Sequence, residues 1–181
     1  MKEAMFFSKL GDTKVQCNLC RHRCVIENGK KGICRVRENR DGTLYSLVYR
    51  KLISENIDPI EKKPFFHFHP GSTAFSIATM GCNFRCMNCQ NYEISQLPGE
   101  LNQIMGKDVS PETIVDNALQ YQCKSIAYTY TEPTIFFEYA YETAVIATAK
   151  SIKNVFVTNG YPTREALETI KPYLHAANVD L

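Results

Sequence analysis

The stretch Ala74-Phe75-Ser76-Ile77-Ala78-Thr79-Met80-Gly81-Cys82-Asn83-Phe84-Arg85-Cys86-Met87-Asn88-Cys89-Gln90-Asn91 decides how the rest of the chain is read. Its first six residues have the composition of a buried strand. Three thiols then follow within eight residues at spacing C-x3-C-x2-C. Three thiolates hold three corners of a [4Fe-4S] cube, whereas a closed ferredoxin-type cluster takes four. One iron is then left open to a ligand from outside. Structural zinc is the rival reading, but zinc takes four Cys or His ligands. The next cysteine, Cys123, precedes a strand expected at 125–130. In a parallel sheet the start of one strand and the loop after its neighbour lie at opposite ends, roughly 20 Å apart at about 3.3 Å per residue. Idle thiols are the third reading.

Downstream of this loop, helix and strand signals alternate. Ser110-Pro111-Glu112 opens a helix running to about Gln120, with serine as N-cap and proline in the first turn. A strand at 125–130 follows, then a helix from about Ile135 to Lys150 and a strand at Val155–Thr158 closed by Asn159-Gly160. Pro162-Thr163-Arg164-Glu165 begins a helix to about Ile170, and a last strand begins near Ala177. Strand and helix alternating in this way require a parallel sheet with right-handed crossovers, an α/β fold. Ligands of such folds gather at the carboxyl ends of the strands.

Residues 1–70 read differently, as a small Cys-rich module with short strands, against a core over 71–181. Asn28-Gly29 and Asp41-Gly42 are tight-turn signals, and Leu44–Tyr49 has strand composition. Cys17, Cys20, Cys24 and Cys34 form a second thiol set, C-x2-C-x3-C-x9-C, with Gly29 and Gly32 inside its last gap. Four soft ligands so spaced suit tetrahedral zinc, and they equally close an auxiliary [4Fe-4S] cube. Unmetallated thiols are the remaining alternative. Arg21, His22 and Arg23 either neutralise an anionic site there or are simply solvated.

Composition excludes several classes. The chain has 181 residues, 44 % hydrophobic and 22 % charged, ordinary for a globular protein. A formal charge of +2, without a basic run, gives no footprint for nucleic acid. No apolar window is long enough for a membrane span, and the N-terminus lacks the pattern of a signal peptide. Eight clustered cysteines without an export signal point to metal rather than disulfides. The expected location is the cytoplasm.

The C-x3-C-x2-C motif of Cys82, Cys86 and Cys89 resembles the signature of the radical S-adenosylmethionine (SAM) superfamily. Pro64–Ser72 before it and Gln90-Asn91 after it resemble the branch related to pyruvate formate-lyase-activating enzyme, and more closely the radical SAM member of the so-called AmmeMemoRadiSam system. The resemblance implies a partial (β/α) barrel of which about four strands fall within these residues, as in the N-terminal portion of a longer protein. It implies a [4Fe-4S] cluster on Cys82, Cys86 and Cys89 and reductive cleavage of SAM to a 5'-deoxyadenosyl radical. An electron donor such as a flavodoxin or ferredoxin is implied, with a protein or small-molecule substrate left undefined. Glycyl-radical activation of a partner enzyme is one form of this activity. A non-catalytic metal-binding interaction module is the alternative from another class.

The resemblance also implies SAM contacts. The residue before the third cysteine is usually aromatic and lies against adenine. It is Asn88 here, so that contact passes to Phe84 or to Asn88 itself. Thr129-Tyr130-Thr131-Glu132 stands where the family has Gly-Gly-Glu, which makes Glu132 the partner of the methionine ammonium. Its bland role is to cap the following helix. Thr158 and Asn159 stand where the family faces the methionine carboxylate or ribose, and Asp180 where it faces the ribose hydroxyls. A turn at the end of the strand accounts equally for Asn159-Gly160. Elsewhere the bland readings lead. His67 and His69 read as one face of a half-buried strand, Glu61-Lys62-Lys63 as a solvated run, Tyr128 and Tyr130 as one strand face, and Cys123 as a buried thiol.

Overall fold

The computed structural model describes residues 1–96 and 100–180. Its centre is a sheet of six strands in the order β12-β11-β10-β8-β7-β9. β8 (Thr73–Thr79), β10 (Ser125–Tyr128), β11 (Lys153–Thr158) and β12 (Ala176–Val179) run parallel, with Ala74 opposite Ser125 and Ser125 opposite Lys153. β7 (Lys51–Pro59) pairs antiparallel with β8, and β9 (Lys107–Asp108) antiparallel with β7. β8, β10 and β11 are buried on both faces, which is why they read as continuous apolar runs, while β12 at the edge is partly exposed.

Residues alternate strictly between those faces. Phe75, Ile77, Ile126, Tyr128 and Phe156 join the core formed with the helices. Ala74, Ala127 and Val155 face the other way, onto Ile60 and Phe65 with Phe68 at the margin. The helical face is covered by α2 (Pro111–Gln120) and α3 (Phe137–Ala149). α2 is capped as its sequence demands, Ser110 Oγ accepting the Thr113 N–H at 3.2 Å, and it buries Ile114, Val115 and Ala118. Full burial of a residue such as Ile114 stabilises by about 1.5–3 kcal/mol. α3 is preceded by a 3-10 turn at Pro133–Phe136, and its Ala140, Ala144 and Ala147 let it lie close on the sheet. α4 (Arg164–Ile170) is capped by Thr163.

Two small antiparallel sheets precede this core. One has the order β1-β6-β5, from Lys2–Glu3, Thr43–Ser46 and Arg37–Arg40; the other is β2-β3-β4, from Phe7–Leu10, Lys14–Cys17 and Val25–Ile26. They are tied to the helical layer by a buried ion pair. Arg37 Nη2 donates to both carboxylate oxygens of Glu138, at 2.7 and 2.5 Å, and the Met5 N–H donates to the same carboxylate at 2.8 Å. The module and the core are also joined by backbone, because β7, within residues 1–70, is a strand of the main sheet.

Several expectations need correction. The strand ending at Tyr128 stops two residues early because Tyr130 adopts a left-handed φ of 62°. Tyr128 therefore points into the helical core, donating to Asn154 Oδ1 at 3.0 Å, while the Tyr130 hydroxyl reaches Asp58. Residues 63–70 form bends rather than a strand, and His67 and His69 are exposed. Lys63 is buried, not solvated: its ammonium pairs with Asp58 at 2.8 Å and lies over the Tyr130 ring at 4.2 Å. Among the described residues no helix is long and apolar enough to cross a membrane.

Candidate metal and cofactor centre

At the carboxyl end of β8 the chain must turn sharply away from the sheet, and Gly81 makes the turn at φ +94°. A Cβ there would lie 2.6 Å from Val36 Cγ1 and 3.0 Å from the Cys34 carbonyl oxygen, so only glycine fits. The Gly81 N–H donates to the Ile94 carbonyl at 3.0 Å, folding α1 (Tyr92–Ser95) back over the start of the loop.

Cys82, Cys86 and Cys89 are all free thiols, Cys86 exposed and the others half-buried. Cys82 Sγ accepts the Phe84 N–H at 3.4 Å. Cys89 Sγ lies 3.3 Å from Ser95 Oγ, and its N–H closes a turn onto the Cys86 carbonyl at 3.3 Å. Burial pushes the Cys82 thiol up to about 11; the Phe84 N–H opposes the rise, and Glu132, Cys86 and Cys89 add to it. A thiolate at this position needs a nearby cation, which a metal supplies.

Glu132 holds neighbouring strand ends together. Its Oε1 accepts from Thr134 N at 3.0 Å, Thr134 Oγ1 at 2.5 Å and Thr158 Oγ1 at 2.7 Å. Among the described residues its Oε2 accepts from Asn159 N alone, at 2.8 Å, leaving that oxygen acceptor capacity. The capping role read from the sequence is therefore real, since Glu132 is the N-cap of the 3-10 turn. Hydrogen bonds to a charged group contribute about 1.5–3 kcal/mol each, so this carboxylate is firmly placed. Asn159 Nδ2 donates to Asn83 Oδ1 at 2.8 Å, and the Asp180 N–H donates to the Thr158 carbonyl at 2.9 Å. Cys82, Glu132, Thr158, Asn159 and Asp180 thus meet at one end of the sheet. Asn88 is exposed. The Phe84 ring packs edge-on against Tyr161 at 5.1 Å and His22 at 6.0 Å. Cys123 stands at the opposite end, beside Thr73 Oγ1 at 3.6 Å.

The second thiol set gathers around one cavity. Cys17, Cys20, Cys24 and Cys34 line it with Arg37 and Asn83, and its volume is about 20 Å³. Burial pushes the Cys34 thiol up to about 12 and raises those of Cys17 and Cys20; the Arg37 charge opposes all three. The cavity abuts the first site. His22 Nε2 donates to the Asn83 carbonyl at 2.9 Å, and the Arg21 N–H donates to the Tyr161 carbonyl at 3.0 Å. Arg21 and Arg23 are exposed, so the solvated reading holds for them, whereas His22 is a strut. Among the described residues no three His, Cys, Asp or Glu side chains form a ready-made metal cage. Both thiol sets would be drawn in by what they bind, as is usual for metal sites.

Sequence reasoning did not find Asn83, Thr134, Arg37 or Glu138. The Thr-x-x-Thr pattern around Glu132 was the one local signal available. The others act through partners far away in the chain.

Comparison with known proteins agrees with this layout. Residues 76–181 match the family model described as the radical SAM superfamily. An uncharacterized protein of Methanocaldococcus jannaschii is 48 % identical over 181 residues, covering 100 % of this chain and 53 % of its own length. A second uncharacterized protein of that organism is 33 % identical over 82 residues, 45 % of this chain and 19 % of its own length. The chain spans about half the length of the first of these relatives and less of the second. Proteins of the matched family generally use a [4Fe-4S] cluster and SAM. With the thiol loop following β8 and the match running from within that strand, the chain belongs to the radical SAM superfamily.

Proposed function

We propose that this protein is a radical SAM enzyme in which Cys82, Cys86 and Cys89 hold a [4Fe-4S] cluster and Glu132, Thr158, Asn159 and Asp180 surround SAM. The observation that carries the reading is the meeting of Cys82 with Glu132 and Asn159 at the carboxyl ends of β8, β10 and β11, with no fourth cysteine in that loop. When bound, the cluster supplies the electron that splits the SAM sulfonium into methionine and a 5'-deoxyadenosyl radical. The chain's own part is placement. The free lone pairs of Glu132 Oε2 suit an ammonium, a charge-assisted contact stronger than a neutral hydrogen bond. Asp180, whose N–H is held by the Thr158 carbonyl, is exposed at the same strand end, and its carboxylate suits ribose hydroxyls. Phe84, or Asn88 with its amide, lies against adenine. The exposed edge at Cys86 is where a small electron carrier such as a flavodoxin or ferredoxin delivers its electron.

The test is anaerobic reconstitution with iron and sulfide, then reduction with SAM present. The expected results are the paramagnetic signal of a reduced cluster that changes when SAM is added, and release of 5'-deoxyadenosine. Cys82→Ala, Cys86→Ala and Cys89→Ala should each abolish both. Cleavage of SAM at the wild-type rate by the triple variant would refute the reading, and a protein that binds no SAM would be an interaction module instead. A glycyl radical appearing on an added partner enzyme would assign it to the activating branch.

A further inference from the structure

Arg37 is 1 % exposed, and of its nitrogens Nη2 is the one that donates to Glu138. Its Nε and Nη1 are buried with no hydrogen-bond partner among the described residues. Leaving a buried donor unpaired costs about 1–3 kcal/mol, more where the group is charged, so two of them beside one cavity call for an acceptor. The cavity offers sulfur. A neutral thiol is a weak acceptor, whereas a thiolate is anionic and forms the stronger, charge-assisted kind of hydrogen bond. Several adjacent buried thiolates are tenable only when a cation holds them. His22 lies at the same cavity with its Nε2–H on the Asn83 carbonyl, and the four sulfurs by themselves already complete a tetrahedral ligand set.

The size of the space favours the smaller occupant. A volume of about 20 Å³ is close to what one water molecule needs. A single ion bonded to sulfur at about 2.3 Å fits between side chains that close on it. A cube of iron and sulfide would need the same side chains to move apart. We infer that Cys17, Cys20, Cys24 and Cys34 bind one thiophilic divalent ion of the zinc type as a closed tetrahedral site, with Arg37 donating Nε–H and Nη1–H to its thiolates. The four thiols are distinct from those of the strand-end loop, although Asn83 of that loop lines the same cavity.

The experiment uses the full chain with Cys82→Ser, Cys86→Ser and Cys89→Ser, stripped of metal and titrated anaerobically with Co²⁺. The expected result is one Co²⁺ per chain, with sulfur-to-cobalt charge-transfer absorption at four-thiolate intensity, the strong visible bands of tetrahedral cobalt, and complete displacement by Zn²⁺. Adding Cys34→Ser should weaken binding by at least about 100-fold and lower the charge-transfer intensity. Replacing the pair, Arg37→Gln with Glu138→Gln, should weaken Co²⁺ binding by about 10–100-fold, the range for partners behind the ligands, while leaving the four-thiolate spectrum in place. If the triple variant does not fold, wild type compared with Cys17→Ser/Cys20→Ser reads the same absorption. Three outcomes overturn the assignment: no charge-transfer band, a band that persists unchanged without Cys17 and Cys20, or an iron–sulfur chromophore forming on the set while Zn²⁺ fails to bind.

Discussion

Replacing Gly81 with alanine puts two costs on one atom. The backbone stays at φ +94°, where an L-residue is disfavoured by about 1–2 kcal/mol. The new Cβ also sits 2.6 Å from Val36 Cγ1 and 3.0 Å from the Cys34 carbonyl, contacts that force displacement and cost about 1–3 kcal/mol in a packed interior. The sum is about 2–5 kcal/mol. For a chain of this size each kcal/mol moves Tm by about 2–4 °C, so Gly81→Ala should lower Tm by about 4–20 °C. The double variant with Val36→Ala separates the two costs. It removes the closest atom but not the φ strain, so the two substitutions should couple by about 0.5–3 kcal/mol in the alanine variant's favour. Thermal and urea denaturation of the four proteins closes the cycle. A Tm drop under about 2 °C, or a cycle that is strictly additive, would refute the claim that the loop is wedged against the N-terminal module.

Two further substitutions test the electrostatics. In the metal-free protein Glu138→Ala should cost about 3–5 kcal/mol by leaving Arg37 charged and alone, and Arg37→Met/Glu138→Leu should recover most of it; equal urea midpoints for the single and double variants would count against a buried pair. Asp58 is 4 % exposed, and burial pushes its carboxyl up, but hydrogen bonds from Lys62, Lys63 and Tyr130 outweigh that and hold it well below the usual range. A lowered carboxylate contributes stability that is complete above its unfolded pKa of about 4 and is lost as the pH falls further. Asp58→Asn should therefore be less stable than wild type at neutral pH and converge with it in acid; urea midpoints that run parallel from pH 7 to 2 would show the Asp58 cluster to be irrelevant.

The parallel ladder was legible because β8, β10 and β11 are apolar runs buried on both faces, and its helices carry their own start signals. Ser110 and Thr163 both cap as a local reading requires. β7 was missed because its polar middle, Ser54-Glu55-Asn56, has no apolar alternation, and only its neighbour β8 makes it a strand. At the site, the thiol spacings were visible, while the groups that brace them were not. Arg37 and Glu138 are 101 residues apart, and His22 and Asn83 are 61 apart. No pattern of 2 or 3.6 residues reports such a pair. Tyr130 was misplaced for a smaller reason: one residue at positive φ turned a strand continuation toward the opposite face.

The two thiol sets are braced unequally, and the inequality has a direction. The inner part of the strand-end loop, Gly81 to Phe84, is held by the N-terminal module and the loop after β11: Val36 and the Cys34 carbonyl against Gly81, His22 on the Asn83 carbonyl, Asn159 on the Asn83 side chain, Tyr161 on the Phe84 ring. The outer part, Arg85 to Asn88, is exposed throughout. A segment with few buried contacts sits at the low end of local stability. Cys82 is therefore presented in place, while Cys86 and Cys89 have to be gathered by what they bind, in keeping with the absence of a ready-made cage among the described residues. Two of the four braces on the inner part come from the segment 22–36, on or inside the four-thiol knuckle. An ion that tightens Cys20, Cys24 and Cys34 tightens the support of Cys82 with them. If Cys17, Cys20, Cys24 and Cys34 hold an ion as inferred, stripping it should slow iron–sulfur assembly at Cys82, Cys86 and Cys89, read as the growth of cluster absorbance during anaerobic reconstitution; equal rates with and without the ion would refute the coupling.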